Sequence, residues 1–243
     1  KHAFLIGLLF IATDVLVYIS GERTAIALMI LASVFIIIMM SKYRLIRLLT
    51  LFVSIIIIII ITVINPKIYD RNITHTIDQM IMQDDSSKKI IMSSEHDRFL
   101  LSAWAMYKDN KIFGIGPKVF RVECSKKLYS KDGNSCSTHP HNTYIQVLAE
   151  TGIIGLIFLL TVIFYLISIS LRHLYQFNFF KKNHKNYLLS DYQICLLGCF
   201  FLTLWPFMPT LNFFNNWISI IYYLPVGFYL SSIYEKNKIT NSE

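Results

Sequence analysis

A chain of 243 residues with 54% hydrophobic and only 16% charged residues does not have the composition of an ordinary water-soluble domain. Its net charge of +8 accompanies long apolar runs, which points to anionic membrane lipids, phosphorylated ones included, and not to nucleic acid as the partner. An integral membrane protein is the class left.

A membrane-crossing helix needs about 20 mostly apolar residues. In chain order, such runs fall at approximately 3–19, 24–40, 45–64, 152–171, 192–211 and 213–233. All six are expected to be helical, because backbone polar groups in lipid must be satisfied within the segment. The expected fold is all-α, a polytopic transmembrane helix bundle with a large, partly helical loop at 65–140. The chain starts at Lys1, at the mouth of a helix, so 1–243 reads as a single membrane domain forming the C-terminal part of a longer protein.

Short loops rich in Lys and Arg stay on the cytoplasmic side. Lys42, Arg44 and Arg47 mark one such loop, and Arg172, Lys181, Lys182 and Lys185 another. The 65–140 loop then faces outward, where Cys124 and Cys136 can form a disulfide in an oxidising space. Cys195 and Cys199, one helical turn apart in the fifth run, read as buried, inert thiols. Within the loop, Asn65-Pro66 ends the third span and Thr76–Ser94 is polar and aperiodic. From Glu95 the pattern is helical, with Phe99, Ala103, Met106 and Tyr107 on one stripe and Arg98, Leu101 and Trp104 on another side. That helix should stop near Asn110, before a tight turn at Gly114–Phe120.

The segment HPHNTYIQVLAETGIIG, His139 to Gly155, joins a polar start to a long apolar helix. Pro140 suits the first helical position, which would place His141 and Asn142 in the first turn. There the positive end of the helix would keep His141 neutral and able to accept a proton. Asn142, Gln146 and Glu150 form a polar stripe at i, i+4 and i+8. The competing readings are that His141 is only a cap or interfacial residue, that His139 caps the helix, and that the two histidines hold a metal. Arg23 stands between the first two runs, where it is either functional or paired with Glu22 or Asp14. Arg98 is either functional or a solvated helix residue.

His141-Asn142, followed after nine residues by Gly152-Ile153-Ile154-Gly155, resembles the signature of the bacterial O-antigen ligase family, which shares a membrane domain with O-antigen polymerases. The Ser20–Thr24 segment, the Arg98–Trp104 helix and the Gly114-Ile115-Gly116 turn are similar to that family as well. The resemblance implies a glycosyltransferase of the bacterial inner membrane, multi-pass, with its active site facing the periplasm. It would move a glycan from undecaprenyl diphosphate to the lipid A core of lipopolysaccharide, or to another glycan acceptor. His141 would be catalytic, Arg23 and Arg98 would bind the diphosphate, and Asn142, Glu150 and His139 would support them; no metal or other cofactor is implied. An O-antigen polymerase, a protein O-oligosaccharyltransferase and, outside enzymes, a polytopic transporter are the alternatives.

Overall fold

A computed structural model describes residues 2–75, 77, 94–130, 136–179 and 188–240. Most of the aperiodic 76–94 stretch, and the cations Lys181, Lys182 and Lys185, lie outside them. The described residues are helical, with turns between, and divide into two compact units, 1–89 and 90–243. Four helical stretches, His2–Ser20, Lys42–Ile64, Thr143–Gln176 and Asn216–Glu235, are long and apolar enough to cross a membrane.

The first unit packs α1 (His2–Ser20), α2 (Arg23–Met39) and α3 (Ser41–Ile64) against one another. Its burial pattern is the reverse of a soluble bundle. Phe4, Phe52 and Val63 are 73%, 64% and 78% exposed, whereas Asp14, Ser33, Arg47 and Ser54 are at most 2% exposed. In lipid the driving force between helices is polar contact and packing, not removal of apolar surface from water. Here Arg47 makes a two-pronged pair with Asp14, at 2.8 Å through both terminal nitrogens. Ser54 donates to Asp14 at 2.8 Å, and Arg47 donates to Ser33 through Nε (3.1 Å) and again through a terminal nitrogen. The four residues thus tie all three helices.

This closes one alternative and overturns one expectation. Asp14 pairs with Arg47 and not with Arg23, and Arg47 is a buried α3 residue, not a loop cation, because an unpaired carboxylate in the bundle would cost more than burying a matched pair. Arg44 caps the end of α2 by donating to the Ile37 and Ile38 carbonyls at 2.7 and 3.4 Å. Beyond α3, Asn65 accepts from the Lys67 amide as the cap of α4 (Pro66–Tyr69), which runs into a π-helical turn, Asp70–Thr74.

The second unit begins with α5 (Ser94–Asp109). Its expected stripe is its buried face: Ala103 and Met106 are 0% exposed and pack with Phe99, Phe120, Ile145 and Ala149. The short α6 (Phe120–Glu123) follows, and the Cys124–Cys136 disulfide is formed. Next comes α7 (Thr143–Phe179), then α8 (Asp191–Thr203) and α9 (Asn216–Thr240). A Ser190–Gln193 capping box starts α8, and Gln193 reaches Ser232 of α9 at 3.2 Å. The apolar run 192–211 is helical only to Thr203, since Pro206 and Pro209 follow. Cys195 and Cys199 are free and exposed on α8, not buried, because that helix turns Ile194 and Leu197 inward instead.

Gly152 breaks α7 at φ 68°, ψ −164°. Ile153 N donates to the Lys111 carbonyl at 2.9 Å, while the Ala149 and Glu150 carbonyls accept from Ile115 and Gly116 at 3.0 and 2.9 Å. The 111–116 loop is spliced into the break, and a Cβ on Gly152 would overlap the Ile112 carbonyl. Gly152→Ala should therefore lower stability by more than the roughly 1–3 kcal/mol of backbone strain alone, read as a fall in the thermal midpoint of detergent-solubilised protein. In the same assay, Asp14→Ala strands the Arg47 charge and should cost about 3–5 kcal/mol, whereas Asp14→Leu with Arg47→Met should recover most of it.

Candidate active site

The helical part of α7 begins at Thr143. Asn142 Oδ1 accepts from the Tyr144 and Ile145 amides at 3.0 and 3.1 Å, and its carbonyl accepts from Gln146 N at 2.9 Å. Asn142 is thus the N-cap, which corrects the expectation that Pro140 starts the helix and that His139 caps it. His141 stands outside the first turn with φ 58°, a left-handed conformation uncommon for a non-glycine residue.

That conformation is held from the 204–215 segment. The Thr210 amide donates to the His141 carbonyl at 2.8 Å, and His139 Nε2 donates to the Thr210 carbonyl at 2.9 Å. Since a carbonyl only accepts, His139 carries its proton on Nε2, and in the neutral ring Nδ1 accepts from the Thr138 hydroxyl at 2.9 Å. His139 is 6% exposed and its two ring nitrogens are committed to scaffold. The clamp continues along α7: Asn142 donates to Pro206 O (3.1 Å), Thr143 to Thr210 (3.0 Å) and Tyr144 to Leu204 O (2.5 Å). Gln146 donates to Asn212 Oδ1 at 2.8 Å and accepts from Phe213 N at 3.0 Å.

Glu150, 1% exposed, ends the polar stripe. Its carboxylate accepts from the Lys118 and Phe120 amides at 3.0 and 3.1 Å and from Gln146 at 3.3 Å. A buried carboxylate at the start of α6 satisfies amides that would otherwise be orphaned. Glu150 and Asn142 therefore hold the backbone around the site in place.

The His141 ring lies against three others. Its centroid is 4.0 Å from His139, 5.2 Å from His96 and 5.7 Å from Phe99. Ser137, next to the disulfide cysteine, meets Nε2 at 3.1 Å. Burial, with smaller contributions from His139 and His96, pushes the His141 pKa down to about 4. Burial also lowers His139, against the opposing effect of its bond to Thr210. The imidazole is neutral near pH 7 as expected, but for a different reason: it is buried among rings and not seated on a helix dipole.

Sequence reasoning passed over His96. It lies in the first turn of α5, and its contact with His141 spans the α5–α7 packing, which no local pattern signals. Arg98, two residues further on, is half-buried, and its Nε is buried without a hydrogen-bond partner among the described residues. His139, His141, Asn142, Glu150, Arg98, Cys124 and Cys136 all belong to the second unit. Arg23 belongs to the first, at the start of α2, where it lines a polar cleft with Gly21, Glu22, Thr24, Arg71 and His75.

Among the described residues, no cluster of three His, Cys, Asp or Glu side chains is arranged to hold a metal. No curated protein and no solved structure matches the chain. A sequence-family model described as O-Antigen ligase matches residues 6–160, a stretch that contains Arg23, Arg98, the His141-Asn142 pair and the Gly152 break. The chain belongs to the O-antigen ligase family, a family of ligase- or polymerase-type membrane enzymes, and it is a multi-pass membrane protein.

Proposed function

We propose that the protein is an O-antigen ligase-type glycosyltransferase of the bacterial inner membrane. It takes a glycan from undecaprenyl diphosphate and joins it to the lipid A core of lipopolysaccharide at the periplasmic face. The observation that carries this reading is His141, the histidine of the His-Asn motif, which is presented in a strained left-handed turn as a neutral base.

The reaction is a direct displacement at the anomeric carbon. An acceptor hydroxyl oxygen forms the new bond to that carbon as the bond to the diphosphate oxygen breaks. The hydroxyl proton goes to His141, and undecaprenyl diphosphate leaves with the bonding pair. Such general-base assistance is typically worth a 10²- to 10⁴-fold rate gain. For His141 to act as the base, the Ser137 hydroxyl accepts from Nε2–H, which leaves Nδ1 free to take the proton.

Arg98 and Arg23 are each assigned to the diphosphate, whose charge grows as it departs. Support for Arg98 comes from its buried Nε, a donor awaiting an acceptor. Support for a lipid-linked donor comes from an apolar cavity of about 580 Å³ between α7, α8 and α9, whose lining includes Val147, Phe158, Tyr165, Phe200, Tyr222 and Tyr229. A transporter reading gains nothing from the buried charges of α1 and α3, because Asp14 and Arg47 saturate each other.

In membranes supplied with lipid-linked glycan and a core acceptor, His141→Ala should lower transfer at least 100-fold with membrane insertion unchanged. Normal transfer would sink the assignment. The pH profile gives an independent check, because His141 is active when neutral. As pH falls, kcat/KM should stay level through 6.5, where an ordinary imidazole protonates, and drop only near pH 4. His96→Gln removes a neighbour that depresses His141 and should move the drop to higher pH.

A further inference from the structure

We infer that Ile112 and Phe113, the tip of the loop between α5 and α6, are seated in the lipid leaflet on the His141 side of the membrane, with Lys108 and Lys111 on its anionic headgroups. The two apolar neighbours are 58% and 76% exposed. In water such a pair would be an unfavourable surface; at a bilayer it is an anchor.

The backbone fixes the height of this tip. Ile153 N donates to the Lys111 carbonyl at 2.9 Å, and the Ile112 carbonyl lies against Gly152, where a Cβ would overlap it. Beyond Gly152 the first charged residue of α7 is Arg172. The uncharged stretch between them, 153–171, rises about 28 Å as a helix, close to the hydrocarbon thickness of about 30 Å. Gly152 therefore marks the edge of the hydrocarbon, and the tip is bonded to that edge.

The tip also continues a surface that faces lipid. Ile153, Ile154, Ile157 and Phe158, at the start of the spanning part of α7, are exposed as well. Lys108, in the last turn of α5, and Lys111 flank the tip, and both are exposed. A lysine beside an apolar insertion lays its stem along lipid while its ammonium stays at the phosphates, and anionic headgroups attract it. Asp109, the acid between them, is hydrogen-bonded with Tyr129. This inference needs only that α7 spans the bilayer, and it stands apart from the transferase reading.

The test reads the depth of a nitroxide label on a single introduced cysteine in the full chain, in nanodiscs containing phosphatidylglycerol. Cys195→Ser and Cys199→Ser remove the free thiols, and the Cys124–Cys136 disulfide is kept. Labels at Phe113→Cys and Ile112→Cys are compared with Ile154→Cys as the lipid reference. Lys126→Cys, replacing an exposed partner of Glu123, is the aqueous reference. Collisions are measured with oxygen, which concentrates in lipid, and with a water-soluble nickel chelate. The labels at 112 and 113 should lose nickel collisions and keep oxygen collisions, as at 154 and opposite to 126. Raising the phosphatidylglycerol content should move the 113 label deeper, and Lys108→Gln with Lys111→Gln should abolish that shift. A 113 label as open to nickel as the one at 126 would overturn the inference. So would a label shielded from both reagents, which would mean that protein covers the tip. A shift that survives the double lysine substitution would overturn the headgroup contact.

Discussion

A helix that passes from polar packing into lipid must change what satisfies its backbone, and in this chain the change happens at one residue. At Gly152 the α7 ladder is interrupted, and the freed Ile153 amide and the Ala149 and Glu150 carbonyls find their partners in the 111–116 loop. Only glycine accepts both the positive φ and the Ile112 carbonyl at its α-carbon. Much of the site hangs on this splice. It holds the loop whose Lys118 and Phe120 amides are bound by Glu150, which seats α6. From α6 the chain leads into Cys124, its disulfide to Cys136, and Ser137 against His141.

The two units bury polarity in opposite ways. The first matches full charges, Asp14 with Arg47, and closes them with serine hydroxyls. The second threads neutral amides and hydroxyls of Asn142, Thr143, Tyr144 and Gln146 into the carbonyls, amides and side chains of the 204–215 segment. A neutral ladder supplies geometry without a strong local field. The groups that depress the His141 pKa, apart from burial itself, are two other histidines. That imidazole is therefore firmly placed and weakly basic.

What the sequence made legible follows from range. Periodicity over a few turns gave the buried stripe of α5 at Phe99, Ala103 and Met106, and composition gave the apolar runs. Cysteine placement gave the disulfide, and the Gly-Ile-Ile-Gly step gave the point where α7 becomes wholly apolar. Local rules put the start of α7 three residues early, because Pro140 fits an N1 position whereas the helix begins at Thr143. The pull of Thr210 on His141, which holds the chain left-handed before the helix can begin, comes from 69 residues away. No local pattern marks His96 or Arg71, for the same reason. Each is an ordinary polar residue in its own turn, and only packing brings His96 to His141 and Arg71 to the Gly21 bend.

A base whose conjugate acid has a pKa near 4 is poorly suited to removing a proton from a free sugar hydroxyl, which is far less acidic. Under the proposed displacement it does not have to. As the acceptor oxygen bonds to the anomeric carbon it takes on positive charge, and its proton becomes acidic enough for a weak base to collect. Proton transfer then comes late, after the bond to diphosphate is largely broken. The diphosphate leaves as an anion, which also favours the imidazolium forming at His141. In this ordering the arginines proposed to hold the leaving group and the buried histidine act in sequence. The low basicity of His141 keeps it unprotonated and ready until the donor bond has opened.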